Sequence, residues 1–282
     1  MNEQPPEYAV SLDGTRIAFQ RFGSGRPVVI VSGALSTAAA SGPLATSLAE
    51  AGLQGIAYDR RGRGASGDTA PYAPEREIED LRAVVDAIGS PVAVLGHSAG
   101  AALSLFAAAV GVPMAHLFLS EPPLRFGHDE PPADLADRLW TLAEEGRGEE
   151  AVLCFLRENV GVPEQAIGQL RASEAFGELV RLARTTSYDT RLVAAVSTPT
   201  PKMFATDVPT TILRGARTTP LIITATEHLA DAIPGAELVV VPESHDHLVD
   251  PHGTTREIST RLDPYHVPSP PKVGQSPAGS SP

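Results

Sequence analysis

The stretch Pro91-Val92-Ala93-Val94-Leu95-Gly96-His97-Ser98-Ala99-Gly100, followed by the Ala-rich run from Ala101 to Ala109, decides how this chain folds. The first five residues are continuously apolar, as expected of a strand buried on both faces. The run after Gly100 favours a helix. Between them the chain must turn so sharply that the backbone of Ser98 is strained. Gly96 and Gly100, two residues to either side, keep neighbouring chain from clashing there. The turn lifts the Ser98 hydroxyl above the sheet and sets it at the positive end of the following helix. Ser98 is therefore a candidate nucleophile rather than a surface hydroxyl.

Working outward, Tyr8–Leu12 and Thr15–Phe22 read as strands joined by the Asp13-Gly14 turn pair. Pro27–Val31 and Gly55–Asp59 read as further strands, with a helical stretch near 41–51 between them. Glu75–Gly89 carries Ile78, Leu81, Val84, Val85 and Ile88 on one helical face. Another strand is expected at 115–120. This alternation implies an α/β domain with a mostly parallel sheet covered on both faces. Residues 126–207 break the pattern and read as helices only. Strand and helix return at 210–214, 220–232 and 237–241. The expected organisation is a leader at 1–7, a core at 8–125 and 208–263, and a helical cap inserted at 126–207. The Pro/Ser/Gly-rich stretch 264–282 is expected to be disordered.

The chain has 282 residues and a formal charge of −12, which argues against nucleic acid or an anionic membrane as partner. No apolar run approaches the roughly 20 residues that span a bilayer, and the first residues lack the features of a secretory signal. A cytoplasmic protein is expected, with its oligomeric state left open. The single cysteine, Cys154, is expected to pack as a small hydrophobe. No spacing of His or Cys suggests a metal, and no Gly-rich phosphate or dinucleotide loop is present. No cofactor is expected.

Four segments together resemble the α/β-hydrolase fold superfamily over about residues 8–263: Val29-Ile30-Val31-Ser32-Gly33-Ala34, Asp59-Arg60-Arg61-Gly62-Arg63-Gly64-Ala65-Ser66, Gly96-His97-Ser98-Ala99-Gly100, and His245 near the carboxyl end. The second segment fits the family's D-x-R-G-x-G-x-S loop. Arg61 is expected to tie that loop down rather than meet substrate. The resemblance implies an α/β-hydrolase fold and a Ser, acid, His order of catalytic residues. A serine needs a base within hydrogen-bond reach. His245 is expected to supply it, with His247 as the other candidate two residues on. The family's usual acid position reads Gly215-Ala216-Arg217-Thr218, and Thr218 cannot stabilise an imidazolium. Glu227 lies beyond it, aimed elsewhere, and Asp207 lies at the wrong end of the strand. Some relatives carry the acid instead at the end of the preceding strand, before the cap; here that place reads Leu119-Ser120-Glu121-Pro122-Pro123, so the resemblance implies Glu121, which ends a buried strand at the same sheet edge as Ser98, as the acid. The oxyanion donors are expected to be the backbone N–H groups of Ala99 and Ala34. Where the family usually shows His-Gly, this chain has Ser32-Gly33, a change that bears on how the loop is anchored. Ser32, Leu35, His97 and Trp140 are candidates for the substrate pocket.

The resulting expectation is a serine hydrolase that cleaves an ester, thioester or lactone of a small organic substrate through an acyl-enzyme. A serine at position 98 argues against the dehalogenases and epoxide hydrolases of this fold, which use Asp. Two other readings stay open: a non-catalytic ligand-binding protein on the same fold, and an acyltransferase or cyclase using the same site.

Overall fold

The computed structural model describes residues 5–89 and 91–263. The tail assigned to 264–282 and the start of the leader lie outside these. Along the chain run β1 (Glu7–Val10), β2 (Arg16–Gly23), β3 (Arg26–Val31), α1 (Gly42–Glu50), β4 (Leu53–Tyr58), α2 (Pro74–Ile88), β5 (Ala93–His97), α3 (Ala99–Ala109) and β6 (His116–Ser120). A helical block follows: α4 (Leu135–Glu144), α5 (Gly148–Cys154) with a π-helical extension to Val160, α6 (Glu164–Arg171), α7 (Ala175–Arg181), α8 (Ala183–Val196) and α9 (Pro201–Phe204). The chain closes with β7 (Thr210–Arg217), α10 (Pro220–Ala232), β8 (Glu237–His245) and α11 (Pro251–Leu262).

Among the described residues, eight strands form one sheet in the order β1-β2-β4-β3-β5-β6-β7-β8. β2 runs antiparallel to β1 and β4, and the remaining pairs are parallel. Successive side chains of a strand point to opposite faces, and the two cores follow that period. Val29, Val31, Val94, Leu117 and Leu119 join α2, α3, α8 and α10 on one face. Val28, Ile30, Leu95 and Phe118 join α1 and α11 on the other. This explains why the central strands read as unbroken apolar runs. Parallel strands all end at one edge, so the residues just after β3, β5, β6 and β8 are brought together there.

The helical block has an apolar cluster of its own, built from residues such as Leu135, Leu139, Val152, Phe155 and Phe176. Ala34 and Leu35, just beyond β3, pack against it. Three details differ from the sequence expectation. Glu7 belongs to β1 rather than to a leader. Strand β8 runs on to His245, where the sequence suggested an end at Val241. Cys154 also departs from the expected purely apolar setting: its thiol donates to Glu158 at 3.2 Å.

Candidate active site

Ser98 sits between β5 and α3 with φ 54 and ψ −123, a conformation costly for a residue with a side chain. The surroundings enforce it. The Ser98 N–H donates to the Ser120 carbonyl at 2.9 Å. A Cβ on Gly96 would lie 2.4 Å from the Gly100 carbonyl oxygen, and one on Gly100 would lie 2.1 Å from that of Val31. Only glycine lets β5, α3 and β3 approach so closely.

The Ser98 Oγ lies 2.9 Å from Nε2 of His247, and Nδ1 of the same ring lies 2.6 Å from Oε2 of Glu121. The other Glu121 oxygen accepts the Gly215 N–H at 2.8 Å. Burial by itself would raise the Glu121 pKa, but the hydrogen bonds from His247 and Gly215 outweigh it and hold the carboxyl below its usual range. An ionised carboxylate only accepts hydrogen bonds. The Nδ1 of His247 must therefore carry a proton, which leaves Nε2 of the neutral ring free to accept from Ser98.

His245, expected in this place, is not there. It is the last residue of β8, paired in register with Arg217, and its Nδ1 has no hydrogen-bond partner among the described residues. Asp246 and His247 follow with φ 54 and φ 63. These two left-handed residues turn the chain back over the sheet edge and deliver His247 instead. The longer strand is the physical reason for the shift. Glu121 occupies the place expected of it, immediately after β6, with φ 48 and its N–H bonded to the Leu213 carbonyl at 3.0 Å. Glu227 pairs with Arg214 at 3.0 Å, and the buried Thr218 hydroxyl has no partner among the described residues.

The loop after β3 closes over the serine. A Cβ on Gly33 would stand 3.1 Å from the Ser98 Cβ. Ala99 opens α3, so its N–H belongs to the first turn, where a helix leaves donors unpaired. His97 packs beside His247 with ring centroids 5.0 Å apart and bonds the Ser120 hydroxyl through Nδ1 at 3.2 Å. Burial, and then the neighbouring His247, push its pKa down to about 3, so the ring stays neutral. Ser32 has a buried hydroxyl without a partner among the described residues. Trp140 stands apart from these residues in its ring contacts: it stacks on Tyr188 at 6.0 Å, and Arg184 lies 4.5 Å from its ring centroid.

Beneath the loop lies a set of buried charges that the sequence reasoning missed apart from Arg61. Arg61 forks onto Asp80 at 2.7 Å through two nitrogens and reaches Asp13 at 3.0 Å. It thus ties the 59–66 loop to α2 and to the β1–β2 turn. Arg60 forks onto Glu77 at 2.6 and 2.7 Å, and Arg60 and Arg63 both bond Asp189 of α8. A basic run Arg60-Arg61-x-Arg63 ahead of an apolar-faced helix bearing Glu77 and Asp80 was the available signal. Among the described residues, no group of three or more His, Cys, Asp or Glu could hold a metal ion. No described helix is long and apolar enough to cross a membrane.

The alpha/beta hydrolase family profile matches residues 28–257. The chain belongs to the alpha/beta hydrolase family. An alpha/beta hydrolase from Sphaerobacter thermophilus superposes with a TM-score of 0.84 at 42% identity, covering 90% of this chain and 98% of that one. A hydrolase from Pseudomonas aeruginosa (TM-score 0.68, 21% identity, 87% and 93% covered) and an esterase from Exiguobacterium antarcticum (0.66, 22%, 90% and 98%) share the fold. No curated protein matches the sequence.

Proposed function

We propose that this alpha/beta hydrolase is a serine esterase that cleaves carboxylic esters, or closely related thioesters and lactones, of small organic molecules. One observation carries the proposal: Ser98, His247 and Glu121 form a continuous hydrogen-bonded relay with contacts of 2.9 and 2.6 Å. In this reading Ser98 Oγ attacks the substrate carbonyl as Nε2 of His247 takes its proton. The negative oxygen of the tetrahedral intermediate is held by the N–H groups of Ala99 and Ala34. Glu121 fixes the His247 tautomer and stabilises the imidazolium. His247 then returns the proton to the departing alcohol, and water attacks the acyl-Ser98 by the same route in reverse. The helical block 126–207 is proposed as the cap that selects the acyl and alcohol groups.

A ligand-binding protein has no need of this arrangement. A buried carboxylate, a histidine in left-handed backbone and a serine in strained backbone each cost stability, and together they make an activated nucleophile. The esterase activity named for the Exiguobacterium antarcticum protein is the same chemistry. The test is labelling of the intact protein with a fluorophosphonate, located by mass spectrometry of the modified peptide. Rapid labelling at Ser98 is expected, together with turnover of 4-nitrophenyl acetate. Folded protein that neither labels nor turns over would overturn the proposal.

A further inference from the structure

The loop that covers Ser98 rests on charged groups. The side chains of Arg60, Arg63 and Asp189 are at most 1% exposed. Arg63 Nη2 donates to both oxygens of Asp189, at 2.9 and 2.8 Å. Its Nη1 donates to the Gly33 carbonyl at 3.2 Å. Arg60 Nη1 bonds Asp189 Oδ1 at 2.8 Å and approaches the Ser32 carbonyl at 3.4 Å. Two successive carbonyls of the loop are thus held by two guanidinium groups that share one carboxylate.

The Gly33 carbonyl and the Ala34 N–H belong to a single planar trans peptide unit, and they point in opposite directions. Whatever holds the oxygen therefore also aims the N–H. A cation on the oxygen further polarises the unit and strengthens its N–H as a donor. We propose that Arg63, clamped by Asp189, is a positioning residue that aims the Ala34 N–H at the oxyanion. This rests on the serine esterase reading and deepens it. In the D-x-R-G-x-G-x-S pattern Arg63 fills an open position, and the loop it holds begins with Ser32 rather than the more usual histidine. The anchoring is thus a property of this chain's own residues. Asp189 lies on α8, which packs against α4 and α5 of the helical block as well as against α2 and α3. The seating of that helix therefore sets the direction of the donor.

The test compares wild type with Arg63→Gln and Arg63→Lys in the full chain. Hydrolysis of 4-nitrophenyl acetate is measured per active site, with sites counted by fluorophosphonate labelling to completion. The thermal midpoint and the affinity for a phenylboronic acid, which forms a tetrahedral adduct on serine, are measured alongside. Loss of a whole oxyanion donor costs about 10²–10³ in kcat. A misaimed donor is expected to approach the lower figure in Arg63→Gln, with KM within about threefold, boronate affinity falling in step, and part of the loss recovered in Arg63→Lys. A lower thermal midpoint with unchanged kcat per labelled site would show a purely structural role and overturn the inference. If Arg63→Gln does not fold, Arg63→Lys decides alone: a reduced kcat matched by weaker boronate binding supports the inference, and wild-type values for both overturn it. A wild type that is itself unlabelled and inactive overturns the esterase reading and this inference with it. An active wild type with unaffected variants overturns only the inference.

Discussion

Replacing Glu121 with Gln tests the relay with almost no change in shape. The carboxylate has two jobs: one oxygen accepts the Gly215 N–H at 2.8 Å and the other accepts Nδ1–H of His247 at 2.6 Å. An amide has only one oxygen. If that oxygen stays with Gly215, the NH₂ faces Nδ1 and forces the proton onto Nε2, the atom that must accept from Ser98. If the oxygen turns to His247, the NH₂ faces the Gly215 N–H and two buried donors oppose each other, at a cost of about 1–3 kcal/mol. Either way the negative charge that stabilises the imidazolium in the proposed mechanism is gone. The corresponding acid-to-amide change in a Ser-His-Asp triad costs about 10⁴-fold in kcat, or about 5 kcal/mol of barrier. We expect a loss of that order in 4-nitrophenyl acetate hydrolysis, and a parallel slowing of fluorophosphonate labelling at Ser98. Circular dichroism should be unchanged. A folded Glu121→Gln enzyme labelled within about tenfold of the wild-type rate would refute the reasoning, because the histidine would then be activated without the acid.

Three further outcomes follow from the geometry. His247→Gln should lose at least about 10⁴-fold in kcat, whereas His245→Gln should leave the rate nearly unchanged, since it is His247 that bonds both Ser98 and Glu121; initial rates on one ester decide it, and the reverse ranking would restore His245 as base. His97 has a folded pKa of about 3 against 6.5 for the free side chain, so between those values the unfolded chain binds a proton that the native state excludes. Its contribution is complete above pH 6.5 and is lost as pH falls toward 3, at about 1.4 kcal/mol per pH unit. Urea denaturation at pH 7 and pH 5 should therefore show His97→Asn losing about 2 kcal/mol less than wild type on acidification, and equal losses would contradict the assignment. Gly100→Ala drives a Cβ to 2.1 Å from the Val31 carbonyl oxygen and 2.7 Å from that of Ser32. Because both atoms are backbone, a destabilisation of about 2 kcal/mol or more is expected in the same assay, and a loss below about 0.5 kcal/mol would argue against so tight a turn.

The sheet and its covering were legible because burial on both faces writes a simple pattern. Runs such as Pro27–Val31 and Val92–Leu95 have no polar face, and helices with one apolar stripe alternate with them. The position of Glu121 followed from the resemblance, which places an acid after this strand in some relatives, and from the apolar run it ends at the edge where Ser98 stands. The choice between His245 and His247 was not legible. They differ by two residues, and which one faces the serine depends on how far β8 stays paired with β7. That pairing is a long-range property, fixed by the register of Arg217 against His245 and by two left-handed residues after it. Asp and His adopt left-handed backbone more readily than most residues, but still only in a small fraction of cases, so local sequence does not single out Asp246 and His247. The Asp189 clamp was hidden more deeply. Its partners are 129 and 126 residues away, and an acid on a helix ordinarily reads as a solvated face.

Backbone strain connects the parts of the site. Ser98, Glu121, His247 and Leu35 all have positive φ, between 48 and 63, and each lies just past the end of a strand: β5, β6, β8 and β3. Sparsely populated backbone of this kind costs a residue with a side chain about 1–3 kcal/mol, so four such positions at one sheet edge are improbable unless the sheet imposes them. The reason is geometric. A residue that continues its strand points up or down between the covering helices, whereas a residue with positive φ breaks that alternation. Ser98, Glu121 and His247 come from three different strands and meet only because each makes this break at the same edge. Their separation is then set largely by the spacing of the strands they follow. The relay thus stands on the ends of three strands, which leaves the loop from Ser32 to Leu35 as the part that needs separate anchoring. The two carbonyls of that loop held by Arg60 and Arg63 are where the structure provides it.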